Sequence, residues 1–186
     1  EAEKEDVLGL FLRRIEERIP AAYLTGETWF AGLSFKSDPR ALVPRSPIAE
    51  LIEAGFEPWL GGREVRRALD LCTGSGCIGI AMAAHQPGWH VDVADISPGA
   101  LALARENVAA HHLQRRMRVI ESDLYGALGG ERYDLIVSNP PYVPDRDVAA
   151  LPPEYGHEPA LGLKGGDDGL DLALRILAHA PEHLGE

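Results

Sequence analysis

Cysteine is nearly absent from this chain: Cys72 and Cys77 are the only two in 186 residues. Five positions apart, they fit neither a metal-ligand spacing nor a disulfide framework, and both are expected to be reduced packing residues. Long apolar runs are also missing. No stretch approaches the roughly 20 continuous apolar residues of a membrane helix. The acidic opening Glu1-Ala2-Glu3-Lys4-Glu5-Asp6 lacks the basic and apolar regions of a signal peptide. A soluble, cytoplasmic protein with no membrane partner is therefore expected. Positive charge is scarce as well, with 18 Lys and Arg against 29 Asp and Glu, a net −11. Neither residues 1–65, with 8 basic and 12 acidic side chains, nor residues 66–186, with 10 and 17, make a basic module. Phosphate neutralisation supplies most non-specific affinity for nucleic acid, so direct nucleic-acid binding is disfavoured. A basic protein or a small molecule is the easier partner.

What is present is globular: 45% apolar and 25% charged residues rule out a disordered, collagenous or coiled-coil chain. The length suits one domain, alone or with an appendage. Val7, Leu8, Phe11, Ile15 and Ile19 recur at helical spacing opposite Arg13, Arg14, Glu16 and Glu17, predicting an amphipathic helix over 7–19 that Pro20 ends. Thr28-Trp29-Phe30 and Leu33-Ser34-Phe35 flank Ala31-Gly32 and predict a hairpin. Pro39, Pro44 and Pro47 punctuate an extended stretch, and residues 48–60 resume helical periodicity before Gly61-Gly62. Residues 1–65 read as helix, hairpin and linker helix, an adaptor without a core of its own.

From Arg66 the pattern changes. Strands are expected over 68–72, 89–94, 117–121 and 133–138, and helices over 76–85, 98–110 and 170–184. Such alternation predicts an α/β fold with a doubly wound, mostly parallel sheet over residues 66–186. Residues 143–169 are dense in Pro, Gly, Asp and Glu and lack periodicity, the signature of a lid or binding loop.

Gly74-Ser75-Gly76-Cys77-Ile78-Gly79 matches G-x-G-x-x-G between an expected strand and an expected helix. Without side chains at Gly74 and Gly76 the backbone can approach a ligand, and the helix N-terminus favours negative groups. A tight strand-to-helix turn without a ligand explains the same residues. No Lys-Ser or Lys-Thr pair follows Gly79, which excludes the phosphate loop of nucleotide triphosphatases. Asp95 closes the second strand, where a carboxylate accepts hydrogen bonds from ribose hydroxyls, and Asp123 ends the third, so that at adjacent strand ends of a doubly wound sheet both carboxylates would face the ligand crevice. Taken alone, Asp95 could equally cap the helix that Ser97-Pro98 begins.

Asn139-Pro140-Pro141-Tyr142 ends the fourth strand. Proline pushes Asn139 into an extended conformation, and two adjacent rings stiffen the loop and remove two backbone donors, leaving carbonyls available. An amide or exocyclic amine is a poor nucleophile because its lone pair is delocalised. Two acceptors gripping its N–H groups align it and stabilise the charge that grows on nitrogen. The Asn139 side-chain oxygen and the Pro140 carbonyl suit that task, and Tyr142 offers a flat wall.

Asp70-Leu71-Cys72-Thr73-Gly74-Ser75-Gly76, Asp95, Asp123-Leu124 and Asn139-Pro140-Pro141-Tyr142 together resemble the motif series of class I S-adenosylmethionine-dependent methyltransferases that act on the side-chain amide of glutamine. Pro20-Ala21-Ala22-Tyr23-Leu24, Trp29-Phe30, Leu42-Val43-Pro44-Arg45-Ser46-Pro47, His157-Glu158-Pro159 and Gly165-Gly166-Asp167-Asp168-Gly169 extend the resemblance over nearly the whole chain. The Cys72-Thr73 and Arg45-Ser46-Pro47 spellings resemble the branch that modifies large-subunit ribosomal protein three. The resemblance implies a Rossmann-like fold and S-adenosylmethionine as cofactor, leaving as S-adenosylhomocysteine. It places Asp95 on the ribose, Asp123 and Leu124 on the adenine, Thr73, Gly74, Ser75 and Gly76 at the methionine portion, and Asn139, Pro140 and Tyr142 on the glutamine amide. Asp70, Ile96 and Asn139 also belong to the implied cofactor set. It implies in-line displacement at the sulfonium methyl without a metal or general base, and a basic, ribosomal protein presenting the glutamine. Members of this family start with a larger helical domain and continue through three further strands. The chain is accordingly expected to be part of such an enzyme, residues 1–65 retaining the end of its substrate-recognition region.

A nucleic-acid exocyclic-amine methyltransferase, acting on adenine N6 or similar, would use the same Asn-Pro-Pro-Tyr loop, against the acidic charge. An NAD-dependent oxidoreductase would leave that loop without a task, and a binding module would need no catalysis. His179 and His183 are expected on a solvated helix face, His111-His112 at a helix end, and His157 within reach of substrate.

Overall fold

The computed structural model describes residues 2–57 and 59–185. Its first helix, α1 (Ala2–Leu12), passes into a π-helical turn, Arg13–Glu17, and stops at Arg18, whose φ of 60° is left-handed. The helix starts earlier than the apolar spacing predicts because its first turn is Ala, Glu and Lys, all strong helix formers. After α2 (Ala21–Thr25) come β1 (Glu27–Phe30) and β2 (Leu33–Lys36), paired antiparallel with Phe30 opposite Leu33. Ala31 and Gly32 have φ of 46° and 74°, the two positive values of the I′ turn that matches strand twist. The linker helix is shorter than its periodicity predicts. α3 (Ile48–Glu53) ends early because Gly55 and Phe56, at φ of 64° and 60°, cannot continue a right-handed helix.

The remaining elements lie within two residues of the expected spans: β3 (Arg67–Leu71), α4 (Cys77–His85), β4 (His90–Asp95), α5 (Pro98–Ala110), β5 (Met117–Glu121), β6 (Leu135–Ser138) and α6 (Asp171–His183). Tyr133, expected in the fourth strand, instead forms an isolated bridge with Leu184. The four strands are parallel and ordered β5-β4-β3-β6. Order reverses between β3 and β6, the switch point at which open α/β sheets bind ligands beyond their strand ends.

Side chains alternate across the sheet. Ala68, Val91, Val93, Met117 and Val137 face a core completed by α4 and α5, while Leu69, Leu71 and Ala94 pack with Leu128, Tyr133 and Ile176. Covering both faces explains why these strands read as nearly continuous apolar runs. Phe30 and Phe35 of the hairpin, with Ile52 and Phe56, join the first of these cores. Truncating fully buried Phe35 to alanine would cost about 3–5 kcal/mol. The hairpin is thereby held against α4 and α5, the helices that cover this face of the sheet.

Candidate functional site

At the end of β3 the chain turns sharply. Cys72 takes a left-handed φ of 58°, Thr73 N–H donates to the Ala94 carbonyl at 3.1 Å, and Gly76 N–H donates back to Thr73 at 3.0 Å. The motif glycines have separate tasks. A Cβ on Gly74 would have Ala41 Cβ as its nearest neighbour, at 3.9 Å, leaving the backbone open to the cavity. One on Gly76 would press on Ala104 of α5 at 3.2 Å, and one on Gly79 would lie 2.3 Å from Val93. Gly76, at a φ of 83°, therefore also leaves room for helix packing, a task the sequence reading did not give it.

Asp70 lies behind this loop, fully buried and outside the cavity lining. Its Oδ2 accepts the Thr73 hydroxyl and, at 2.9 Å, the Gly79 N–H. Its Oδ1 has no partner among the described residues. Burial pushes the carboxyl up to about 7. Asp70 thus ties Thr73 to the start of α4 from behind the glycine loop. Asn107, which sequence reasoning missed, holds the loop from the other side. Completely buried on α5, it donates to the Ser75 carbonyl at 3.0 Å, and its side-chain oxygen accepts the Lys36 N–H of β2 at 2.9 Å. An amide at a position that helical spacing turns inward was the available signal.

Asp95 Oδ2 accepts the Gly74 N–H and Oδ1 the Ser97 N–H, both at 2.9 Å. The helix cap itself is Ser97, whose hydroxyl accepts Ala100 N–H at 3.3 Å ahead of Pro98. Asp95 therefore joins the glycine loop to the start of α5 and lines the cavity. Asp123 is exposed and takes Arg175 Nη2 of α6 at 3.2 Å. The Ser122 hydroxyl donates to the Leu124 carbonyl at 2.6 Å and accepts Ala127 N–H at 2.9 Å, locking Leu124 at a φ of 48°. Backbone in this region is costly for a branched side chain and persists where surroundings enforce it, typically at functional sites. Ile96 and Leu124 line the cavity beside the two carboxylates.

The Ser138 hydroxyl donates to the Leu71 carbonyl at 2.8 Å, binding the end of β6 to that of β3. Asn139, Pro140, Pro141 and Tyr142 follow along the cavity wall, with Tyr142 64% exposed. Among the described residues no backbone N–H donates to the Pro140 carbonyl. The segment after them, expected as a lid or binding loop, is folded along the cavity wall. Three 3-10 turns, Asp145–Ala150, Pro153–His157 and Ala160–Gly162, bring it back, where Val143 N–H donates to Leu163 at 2.9 Å and Gly165 N–H to Val143 at 2.8 Å. His157 donates to the Glu17 carbonyl at 2.8 Å, so it struts the N-terminal helix. His183 is stacked on Tyr125 at 4.5 Å and buried, unlike the solvated position expected for it. Cys72, half-buried, and Cys77, buried, both line the cavity, and burial pushes each thiol up to about 12.

Thr73, Gly74, Ser75, Asp95, Ile96, Asp123, Leu124, Asn139, Pro140 and Tyr142 thus share one cavity of about 480 Å³, within the range of small-molecule sites.

Known proteins are similar in both sequence and shape. Over 185 residues the chain is 69% identical to the ribosomal protein uL3 glutamine methyltransferase of Xanthomonas campestris pv. campestris, covering 100% of this chain and 60% of that relative. It is 65% identical to the protein of the same name from Xylella fastidiosa over 184 residues, 99% of this chain and 59% of the relative. The chain spans about 60% of the length of these curated relatives. In shape it is similar to the hMettl16 catalytic domain in complex with MAT2A 3′UTR hairpin 1, with a TM-score of 0.65 at 20% identity over 95% of this chain and 61% of that one. It is also similar to a T. thermophilus 16S rRNA methyltransferase in complex with AdoMet and guanosine, with a TM-score of 0.58 at 20% identity over 86% and 38%. These likenesses show the Rossmann-like methyltransferase fold. Residues 58–151 match the family described as Methyltransferase small domain, a stretch that takes in the glycine loop, both strand-end carboxylates and residues 139–142. The family match takes in the part of the cavity wall that carries these motifs, and the chain belongs to the methyltransferase small domain family.

Proposed function

We propose that this protein methylates the side-chain amide nitrogen of a glutamine in ribosomal protein uL3, with S-adenosylmethionine as methyl donor. The observation that carries the reading is Asn139-Pro140-Pro141-Tyr142 at the sheet's switch point, in one cavity with the glycine loop and Asp95. The cavity fits such a cofactor on its own chemistry. Gly74 leaves backbone bare where a side chain would meet only Ala41, Asp95 suits two vicinal hydroxyls, and Ile96 and Leu124 suit a flat base. Thr73, Gly74 and Ser75 would hold the amino-acid end. When bound, the cofactor supplies a methyl group on a positively charged sulfur.

The protein's own task is to present the nucleophile. Asn139 Oδ1 and the Pro140 carbonyl accept the two amide N–H groups, turning the nitrogen's lone pair toward the methyl and balancing the positive charge that grows on it. Proline at 140 and 141 keeps competing donors out of the grip. The names and 65–69% identity of the relatives support uL3 as substrate, as does the acidic charge for a basic partner. The full-length protein, given ribosomal subunits and labelled S-adenosylmethionine, should place label in uL3. Label confined to ribosomal RNA would overturn this reading in favour of a nucleic-acid amine.

A further inference from the structure

Leu42-Val43-Pro44-Arg45-Ser46-Pro47 and His157-Glu158-Pro159, more than a hundred residues apart in sequence, meet at the cavity wall. The Glu158 side chain is completely buried. Its carboxylate accepts Val43 N–H at 3.1 Å and Arg45 Nη2 at 2.7 and 2.8 Å. A buried carboxylate stripped of such partners is costly, so the pair fixes where Arg45 stands. The guanidinium also lies over the Tyr155 ring, 4.7 Å from its centroid, a second constraint on the same plane.

Both constraints leave most of the group unspent. Only Nη2 is engaged among the described residues, so Nε and Nη1 keep their N–H donors. The side chain is 46% exposed, and Arg45 and Tyr155 line the cavity that holds Asn139. A held cation with unused donors thus lines the cavity, and Glu158 already balances its charge, so it does not repel a basic partner.

A glutamine reaching Asn139 brings peptide units on both sides, and their carbonyls lose water as it enters. Resting on the glutamine reading above, we infer that Arg45 is a specificity-determining residue that donates to a backbone carbonyl of the substrate polypeptide beside the glutamine. Glu158 and Tyr155 are its positioning residues. A second cavity of about 350 Å³ shares Leu151, Tyr155 and Leu163 with the first and offers the same polypeptide an apolar shelf. The site thereby takes a glutamine as part of a chain and discriminates against a free amide.

The test uses the full-length protein with uL3 as acceptor and reads KM for uL3, kcat and calorimetric S-adenosylmethionine affinity separately. Arg45→Lys keeps the charge but loses the planar fork and the stack. Its KM for uL3 should rise about tenfold or more, the loss expected for a charge-assisted hydrogen bond. Cofactor affinity and kcat should stay within a few-fold, and Glu158→Gln should move KM the same way. An unchanged KM, or a loss of cofactor affinity in place of the KM effect, would overturn the inference. Should Arg45→Lys fail to fold, Tyr155→Leu removes the stack and must raise the same KM. A wild-type protein that ignores uL3 would instead sink the glutamine reading, a separate result.

Discussion

A Cβ placed on Gly169 would lie 2.3 Å from the carbonyl oxygen of Tyr142. Gly169 also has a φ of 82°, and Gly165 makes a similar approach, 2.8 Å from Tyr142 Cα. Gly165 and Gly169 are thus the counterform of the segment 139–142 at Tyr142. Gly169→Ala should destabilise the protein by more than the roughly 1 kcal/mol that positive φ alone imposes, and should lower methyl transfer at least tenfold. Gly129→Ala, where a Cβ meets nothing within 4 Å, is the control and should leave denaturation midpoint and rate unchanged.

Asp95→Ala removes acceptors for Gly74 and Ser97 N–H as well as those proposed for the ribose. Hydrogen bonds to a charged acceptor are worth about 1.5–3 kcal/mol each. Calorimetry should show S-adenosylmethionine affinity down at least tenfold, with Asp95→Asn intermediate because its amide oxygen still accepts. Undiminished affinity in Asp95→Ala would remove the residue from the cofactor site.

Asp70 sets a pH dependence. Burial raises its carboxyl from the ordinary 3.8 to about 7, so the folded protein holds this proton more tightly than the unfolded chain. The stability it contributes is fully present below the ordinary value and is lost as pH rises through about 7. Unfolding free energy of wild type relative to Asp70→Asn should therefore fall between those pH values. A flat difference would show that the carboxyl is not held neutral.

Salt should weaken association with a basic substrate, because screening lengths shrink to about 8 Å at 0.15 M. Not every acidic residue of the 143–169 segment contributes. Glu154 is engaged by Arg14 and Arg18, and Glu158 by Arg45, whereas Asp145 and Asp147 are exposed. Neutralising Asp145 and Asp147 should lower the salt dependence of kcat/KM for uL3, measured over a salt series.

The sheet was legible because its strands are apolar on both faces and its helices begin and end at strong signals such as Ser97-Pro98. The glycine loop and Asn139-Pro140-Pro141-Tyr142, which line one cavity, stood out because each is a contiguous run. What depended on distant contacts was not. Nothing within a few residues marks Phe56 as a left-handed stop, Asn107 as a bridge between Lys36 and Ser75, or Gly76 as the seat of Ala104. Residues 143–169 looked like a lid because 3-10 turns carry no apolar period. Their order comes from Glu158 reaching Val43 and Arg45, and from glycines closing on Tyr142.

The proposed reaction turns on the grip of Asn139 on the nitrogen that receives the methyl group. Its direct test is the methylation of uL3 by full-length wild type and Asn139→Ala, with the methylated atom located by tandem mass spectrometry and cofactor affinity measured in parallel. The account predicts a methyl on a glutamine side-chain nitrogen in wild type, and at least a hundredfold loss of kcat in the variant with cofactor affinity within a few-fold. Near-normal turnover by Asn139→Ala, or a methyl found on another atom, would contradict it.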